Sequence, residues 1–150
     1  MIIPEHKYRD ILKHLPILCV DIAIKIDGGY LLVKRKNEPK KDKWWVPGGR
    51  LHKGETAEEA ARRKVKEETG LDIKGIMPIG YYECVFRKSS FGEILGGYHA
   101  LSIVFLCRAD KGEVLLDKQS SGWKIGKLPG DFKIRNFSEG RGIWQKSRKH

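Results

Sequence analysis

Hydrophobic spacing divides the chain into segments of different period. Apolar positions in residues 8–15 (YRDILKHL) recur at helical spacing, and Pro16 cannot continue a helix, so a short amphipathic helix is predicted there. Residues 17–26 alternate imperfectly and are rich in β-branched side chains. Asp27-Gly28-Gly29 then supplies a tight turn and residues 30–33 return as a second strand, which makes a hairpin. Residues 37–43 form a polar loop around Pro39. Residues 44–46 form a short strand stopped by Pro47-Gly48-Gly49. From Thr56 the period becomes helical, with Ala57, Ala60, Ala61, Lys64 and Val65 in register. Thr56 with Glu59 three residues on makes a capping box, and Gly70 stands where a C-terminal glycine belongs, so a helix is predicted over 56–69. Two long antiparallel strands are expected over 73–86 and 98–108, with a Ser- and Gly-rich loop between them. Residues 120–140 read as turn-rich, with a short helix over 143–148.

That order, with one central helix between groups of strands, predicts an α+β fold in which the helix packs on a mixed sheet. The 150 residues, 40% apolar, suit a single domain spanning 1–150, with a basic tail over about 138–150. No apolar run approaches the ~20 residues needed to cross a bilayer. The first ten residues carry acids and a proline where a signal peptide would need apolar ones, so a cytoplasmic protein is expected. Cys19, Cys84 and Cys107 are scattered among apolar neighbours and are expected to be reduced core thiols. The formal net charge is +11, which narrows the partner to something anionic without choosing among nucleotides, nucleic acid and lipid.

Candidate chemistry gathers in PGGRLHKGETAEEAARRKVKEETGL, residues 47–71. Helical spacing pairs Arg63 with Glu67 and Lys64 with Glu68, and Glu55 lies in the loop just before the helix. Carboxylates beside a glycine-rich turn in a basic protein suit a hard divalent cation, with sites left for substrate phosphate. Composition alone favours an ordinary surface helix laced with ion pairs.

The spacing reverses that preference. Gly49, Glu55, Arg63, Val65, Glu67, Glu68, Gly70 and Leu71 match G-x5-E-x7-R-E-U-x-E-E-x-G-U, where U is aliphatic, and one specified glutamate is replaced by Lys64. Average residue usage puts a chance match at about 1 in 100,000. The segment therefore resembles the Nudix box. The resemblance implies a mixed β-sheet sandwiched by helices (an α/β/α sandwich), with the box as loop–helix–loop. It also implies Mg²⁺-dependent hydrolysis of a nucleoside diphosphate linked to another moiety, with Mn²⁺ as a substitute metal. On that pattern Glu67, Glu68 and the Gly48 carbonyl would bind metal, while Glu55 and Arg63 would hold the box together.

Further stretches, Leu18-Cys-Val-Asp21, Leu32-Val-Lys-Arg35 and Trp45-Val-Pro-Gly-Gly-Arg50, are similar to the GDP-mannose mannosyl hydrolase group. That likeness implies that Asp21, Arg35 and Arg50 contact a nucleotide sugar or its diphosphate, and that Gln119 helps bind metal. Guanidinium groups suit bidentate binding of phosphate oxygens. For Asp21, within an apolar strand, a structural hydrogen bond stays an equal alternative. The group's catalytic histidine is replaced by Ser120, which cannot take a proton from water as imidazole does. His99 or His52 would have to substitute if a sugar carbon–oxygen bond were cleaved.

The expected catalytic set is thus Arg35, Arg50, Glu55, Arg63, Glu67 and Glu68, with Asp21 and His99 added for substrate and Gly48 and Gln119 for metal. Lys64 should weaken metal binding by placing positive charge near Glu68. Trp44, Trp45, Phe91 and Trp123 are candidates for stacking on a base or for packing. Water attack at phosphorus of a nucleotide sugar is the leading expectation. A glycosyl hydrolase with a substitute base and a non-catalytic nucleotide- or RNA-binding module are the alternatives. Nucleic acid is the less favoured partner, and a homodimer is compatible with the resemblance.

Overall fold

The computed structural model describes residues 2–89, 92–110 and 112–137. Among these residues two helices and eight strands follow in the order α1 (Glu5–His14), β1 (Ile17–Ile26), β2 (Gly29–Arg35), β3 (Trp44–Trp45), β4 (Gly48–Arg50), α2 (Ala57–Thr69), β5 (Ile73–Ser89), β6 (Gly92–Ala109), β7 (Ser120–Gly126) and β8 (Arg135–Asn136). They build one mixed sheet in the order β3-β2-β1-β6-β5-β8, with β4 added to β1 and β7 to β2.

The centre of the sheet is the parallel pairing of β1 with β6, from Ile17↔Ala100 to Lys25↔Arg108. On its other edge β1 is shared. Cys19, Val20 and Asp21 pair with β4, while only Lys25 and Ile26 pair with β2. The sheet therefore forks beside β1, and the glycine-rich turn fills the fork. Gly48 has to be glycine there, because a Cβ would lie 2.4 Å from the Val20 carbonyl oxygen and 2.6 Å from Asp21 Oδ1. Asp27 and Gly28 both have positive φ, as the type I′ hairpin turn between β1 and β2 requires.

Alternation along β1 sends Val20, Ile22, Ile24 and Ile26 to one face, where they pack with Leu31, Phe105, Cys107 and the Ala60, Ala61 and Val65 stripe of α2. On the opposite face Ile17 and Cys19 pack with Leu12, Tyr8 and Ile11 of α1 and with Tyr98. A further cluster joins Trp45, Tyr82, Val104 and Phe132. The result is the expected α/β/α layering. Helix α2 carries both halves of its capping box, and Gly70 closes it with φ 71°.

Several boundaries differ from the sequence expectation. Helix α1 begins at Glu5, not at residue 8, because Pro4 is tolerated at a helix start and its carbonyl accepts from the Tyr8 amide. The β5–β6 hairpin runs on through residues expected to be loop, to Ser89↔Gly92, with register shifts that absorb the glycines. Residues 120–126 form a strand instead of turns. Their pattern is too polar to announce it, and pairing with β2 (Leu31↔Ile125, Val33↔Trp123) supplies what the sequence lacks. The helix expected over 143–148, the tail over 138–150 and Phe91 lie outside the described residues. No helix among the described residues is long and apolar enough to cross a membrane.

Candidate active site

Helix α2 and the turn before it are joined by one guanidinium. Arg63 donates from Nε to Glu55 Oε1 (2.6 Å) and from Nη2 to Glu55 Oε2 (3.1 Å), a fork-on-fork pair. Its Nη2 also reaches the Arg50 carbonyl (3.1 Å), and Nη1 lies 3.3 Å from Glu67 Oε2. Glu55 additionally accepts from the His52 amide at 2.7 Å. These donors, led by Arg63, pull the Glu55 carboxyl down to about 2. Loop, strand β4 and helix are thereby held as one unit.

The next residue behaves differently. The Lys64 side chain is only 7% exposed, and its Nζ lies 3.0 Å from Glu68 Oε1 and 3.4 Å from Glu67 Oε2. Its stem runs over Gly49, where a Cβ would come within 2.7 Å of Lys64 Cε. The Glu68 side chain is 6% exposed and accepts from the Gly48 amide through Oε2 (3.2 Å). Burial pushes the Glu68 carboxyl up, and Lys64 opposes that shift. Glu67 is 48% exposed. The two adjacent glutamates are therefore unequal, one facing out and one sealed beneath the glycine turn.

Two joined cavities open above this unit. A polar one of about 420 Å³ is lined by Arg35, Arg50, His52, Lys64, Glu67 and Gln119, among others. A narrower one of about 110 Å³ is lined by Asp21, Trp45, Tyr82, Phe86, Tyr98 and Ser102, with Cys19 and Cys84 in its wall. Arg35, Arg50, Gly49, Pro39 and Tyr98 border both. Arg35 is oriented by donating to the Pro39 carbonyl (2.8 Å), and Arg50 stands 5.4 Å over the Tyr8 ring.

Lys40 completes the wall of the aromatic cavity. Lys40 Nζ pairs with Asp131 at 2.7 Å and lies 4.1 Å from the Trp45 ring centre and 5.2 Å from that of Phe86. Burial raises the Asp21 carboxyl, against the opposing charges of Arg35 and Lys40, and the neighbouring Ser102 hydroxyl, also in the cavity wall, is buried without a hydrogen-bond partner among the described residues.

Of the expected site residues, Asp21, Arg35, Gly48, Arg50, Arg63, Glu67 and Gln119 line the joined cavities. Glu55 and Glu68 stand behind them. His99 does not join them. In β6 it alternates with Tyr98 and Ala100, which face the cavity, and its ring instead meets Glu83 at 2.8 Å. Two of the three cysteines also depart from expectation. Cys107 is buried in the core, but Cys19 and Cys84 are half-buried in the cavity wall, and burial pushes their thiols up to about 12 and about 11. Trp45 is buried against Phe132 (4.8 Å) and Tyr82 (5.7 Å), while Trp44 faces Lys124 at 4.5 Å.

Sequence reasoning missed Lys40, Tyr8, Tyr82, Phe86, Tyr98 and Ser102. A signal was present for four of these. Tyr82, Cys84 and Phe86 on one strand, and Tyr98, Ala100 and Ser102 on the other, share a period of two that sends them to one face.

Carboxylates and arginines on a loop–helix unit thus border one polar cavity, in a mixed sheet between two helices. The NUDIX domain model matches residues 16–125, and the chain belongs to the Nudix family of hydrolases. The chain is 39% identical over 130 residues to the ADP-ribose pyrophosphatase of Methanocaldococcus jannaschii, covering 82% of this chain and 73% of the relative. It is 33% identical over 127 residues to the low-salt glycan biosynthesis protein Agl8 of Haloferax volcanii, covering 85% and 81%. Among solved structures, the MutT NUDIX hydrolase from Burkholderia pseudomallei superposes with a TM-score of 0.64 at 25% identity, over 79% of this chain and 94% of that one. The NUDIX domain of Shewanella oneidensis NrtR, complexed with ADP ribose, superposes with a TM-score of 0.60 over 98% of both chains; at 18% identity it shares the fold.

Nudix hydrolases generally use divalent metal ions. Glu67 is the carboxylate of the box that reaches the polar cavity, Glu68 is sealed against Lys64, and among the described residues no group of three or more His, Cys, Asp or Glu closes around a metal position. One or two carboxylates with substrate phosphate oxygens are enough for Mg²⁺.

Proposed function

We propose that this chain is a Mg²⁺-dependent hydrolase of a nucleoside diphosphate linked to another moiety, a nucleotide sugar or close analogue, with water attack at phosphorus. The observation that carries this reading is the pair of joined cavities. The polar one, bordered by Arg35 and Arg50, fits a diphosphate, and the aromatic one fits a flat or ring-shaped group attached to it.

Arg35 and Arg50 would hold the diphosphate at the seam between the two cavities. Glu67, with the Gly48 carbonyl and Gln119, would hold the metal, and the Glu55–Arg63 clasp would keep Glu67 in position. When bound, the metal supplies Lewis-acid neutralisation of the diphosphate. In the reaction a water oxygen bonds to phosphorus, the bridging phosphorus–oxygen bond breaks with its electron pair on the leaving phosphate, and the spare proton passes to the medium. Ser120 is buried and His99 turns outward, which leaves His52, in the lining of the polar cavity, as the base that cleavage of the sugar bond would need.

The ADP-ribose pyrophosphatase and glycan biosynthesis relatives support a diphosphate-linked sugar as the substrate class. A hydrolysis screen over ADP-ribose, GDP-mannose, GDP-glucose, nucleoside triphosphates and dinucleoside polyphosphates tests this reading. Read by phosphorus NMR in ¹⁸O-labelled water, it should put label on a phosphate product. Label on the sugar would overturn it in favour of a glycosyl hydrolase, and tight nucleotide or RNA binding without turnover would favour a binding module.

A further inference from the structure

We propose that Lys64 is a resident cation of this active site: its ammonium occupies the position beside Glu67 and Glu68 that a further divalent ion would need, and it contacts a diphosphate oxygen directly. This inference rests on the function proposed above. It makes one tightly bound divalent ion per chain sufficient.

The first support is how firmly the side chain is held. A lysine is almost never this buried unless paired. Lys64 is paired twice, at 3.0 Å to Glu68 and 3.4 Å to Glu67, and its stem is packed on the backbone of Gly49. Lys66, two residues on, shows the contrast, since it is 63% exposed and pairs with Asp72 at the surface. The Lys64 ammonium is thus fixed by packing and pairing, and the residue lines the polar cavity together with Glu67, Arg35 and Arg50.

The second support is local charge. Glu55, Glu67 and Glu68 bring three negative charges, and Arg63 and Lys64 bring two positive ones within 3.4 Å of them, which leaves one uncompensated. A single divalent ion already exceeds that remaining charge, and a second or third would have to lie against an ammonium. The third support is donor geometry. An ammonium has three N–H groups and no acceptor. Glu67 and Glu68 use two directions, which leaves one for a phosphate oxygen entering between Arg35 and Arg50.

The test counts Mn²⁺ bound by the full chain, using electron paramagnetic resonance with and without α,β-methylene-ADP, and measures affinity for that analogue in the absence of metal. Wild type should bind one Mn²⁺ at micromolar affinity and retain metal-free affinity for the analogue. Lys64→Glu should raise the count to two or more. Lys64→Met, which keeps the stem and removes the charge, should weaken metal-free affinity by about tenfold or more. Two or more Mn²⁺ on the wild-type chain would overturn the proposal, and that count needs no variant to fold. So would unchanged metal-free affinity in a folded Lys64→Met chain. Either result alongside normal wild-type turnover sinks this inference alone, whereas a wild type that neither binds the analogue nor hydrolyses any nucleotide sinks the proposed function with it.

Discussion

Arg63 and Lys64 are neighbours in sequence, yet they serve two different regions of the box. About 100° of helical rotation separates them. Arg63 turns toward the loop and spreads a planar fork over Glu55, the Arg50 carbonyl and Glu67. Lys64 turns under the glycine turn and presents a point charge to Glu68 and Glu67. A guanidinium suits the first place because it satisfies several acceptors at once, and an ammonium suits the second because it is compact. Two cations on one helix can therefore act as a clasp and as part of a reaction site. The carboxylates divide the same way, with Glu55 half-buried and Glu68 buried as partners and Glu67 left to face the cavity.

Removing the outward carboxylate strikes the reaction side hardest. Glu67→Gln should lower kcat by about 10²- to 10³-fold, with the melting temperature close to wild type. Steady-state kinetics on whichever substrate the hydrolysis screen identifies, together with a thermal melt, check both halves. A large loss of stability instead would make Glu67 part of the clasp.

Arg63→Ala should do the reverse and damage the fold first. It leaves the Glu55 carboxylate, 16% exposed, without its guanidinium, at a cost of about 3 kcal/mol in denaturant unfolding. Arg63→Lys should recover only part of this, because a point charge cannot reproduce the fork.

The clasp should also be sensitive to acid. Glu55 is held at about 2 in the folded chain against an ordinary 4.5, so its stabilising contribution is fully present above pH 4.5 and is lost as pH falls toward 2. Glu55→Gln should consequently be less stable than wild type at neutral pH, with the gap closing between those values. A gap that stayed constant with pH would break the assignment.

The smallest effect is expected at Asp21. Its carboxyl is raised by burial, so the folded state is disfavoured once pH rises through that raised value. Asp21→Asn should raise the melting temperature modestly at pH 7 and much less near pH 3.8, and should raise KM more than it lowers kcat.

Much of the box was legible along the chain because it is local. Thr56 and Glu59 cap the helix, Gly70 ends it, and spacings of four predict the Arg63–Glu67 and Lys64–Glu68 pairs, all of which the folded chain contains. The first hairpin was legible for the same reason, through Asp27 and Gly28. Strand β7 was not, since Ser120-Ser-Gly-Trp-Lys-Ile-Gly has too little apolar alternation and becomes a strand only against the edge of β2. Nor was the orientation of His99, which depends on the register of β6 against β1 and β5.

The sequence by itself determined the carboxylate–arginine spacing, the capped helix and the glycine turn, because each depends on residues within a few turns of one another. Tertiary structure decided which of those groups face a ligand. The parallel pairing of β1 with β6 and the fork that admits β4 bring Asp21, Arg35, Arg50, Tyr82, Tyr98 and Lys64 around joined cavities from strands and a helix far apart in the chain. Contacts at such sequence separations depend on the packing of whole faces, and no local period encodes which faces will meet.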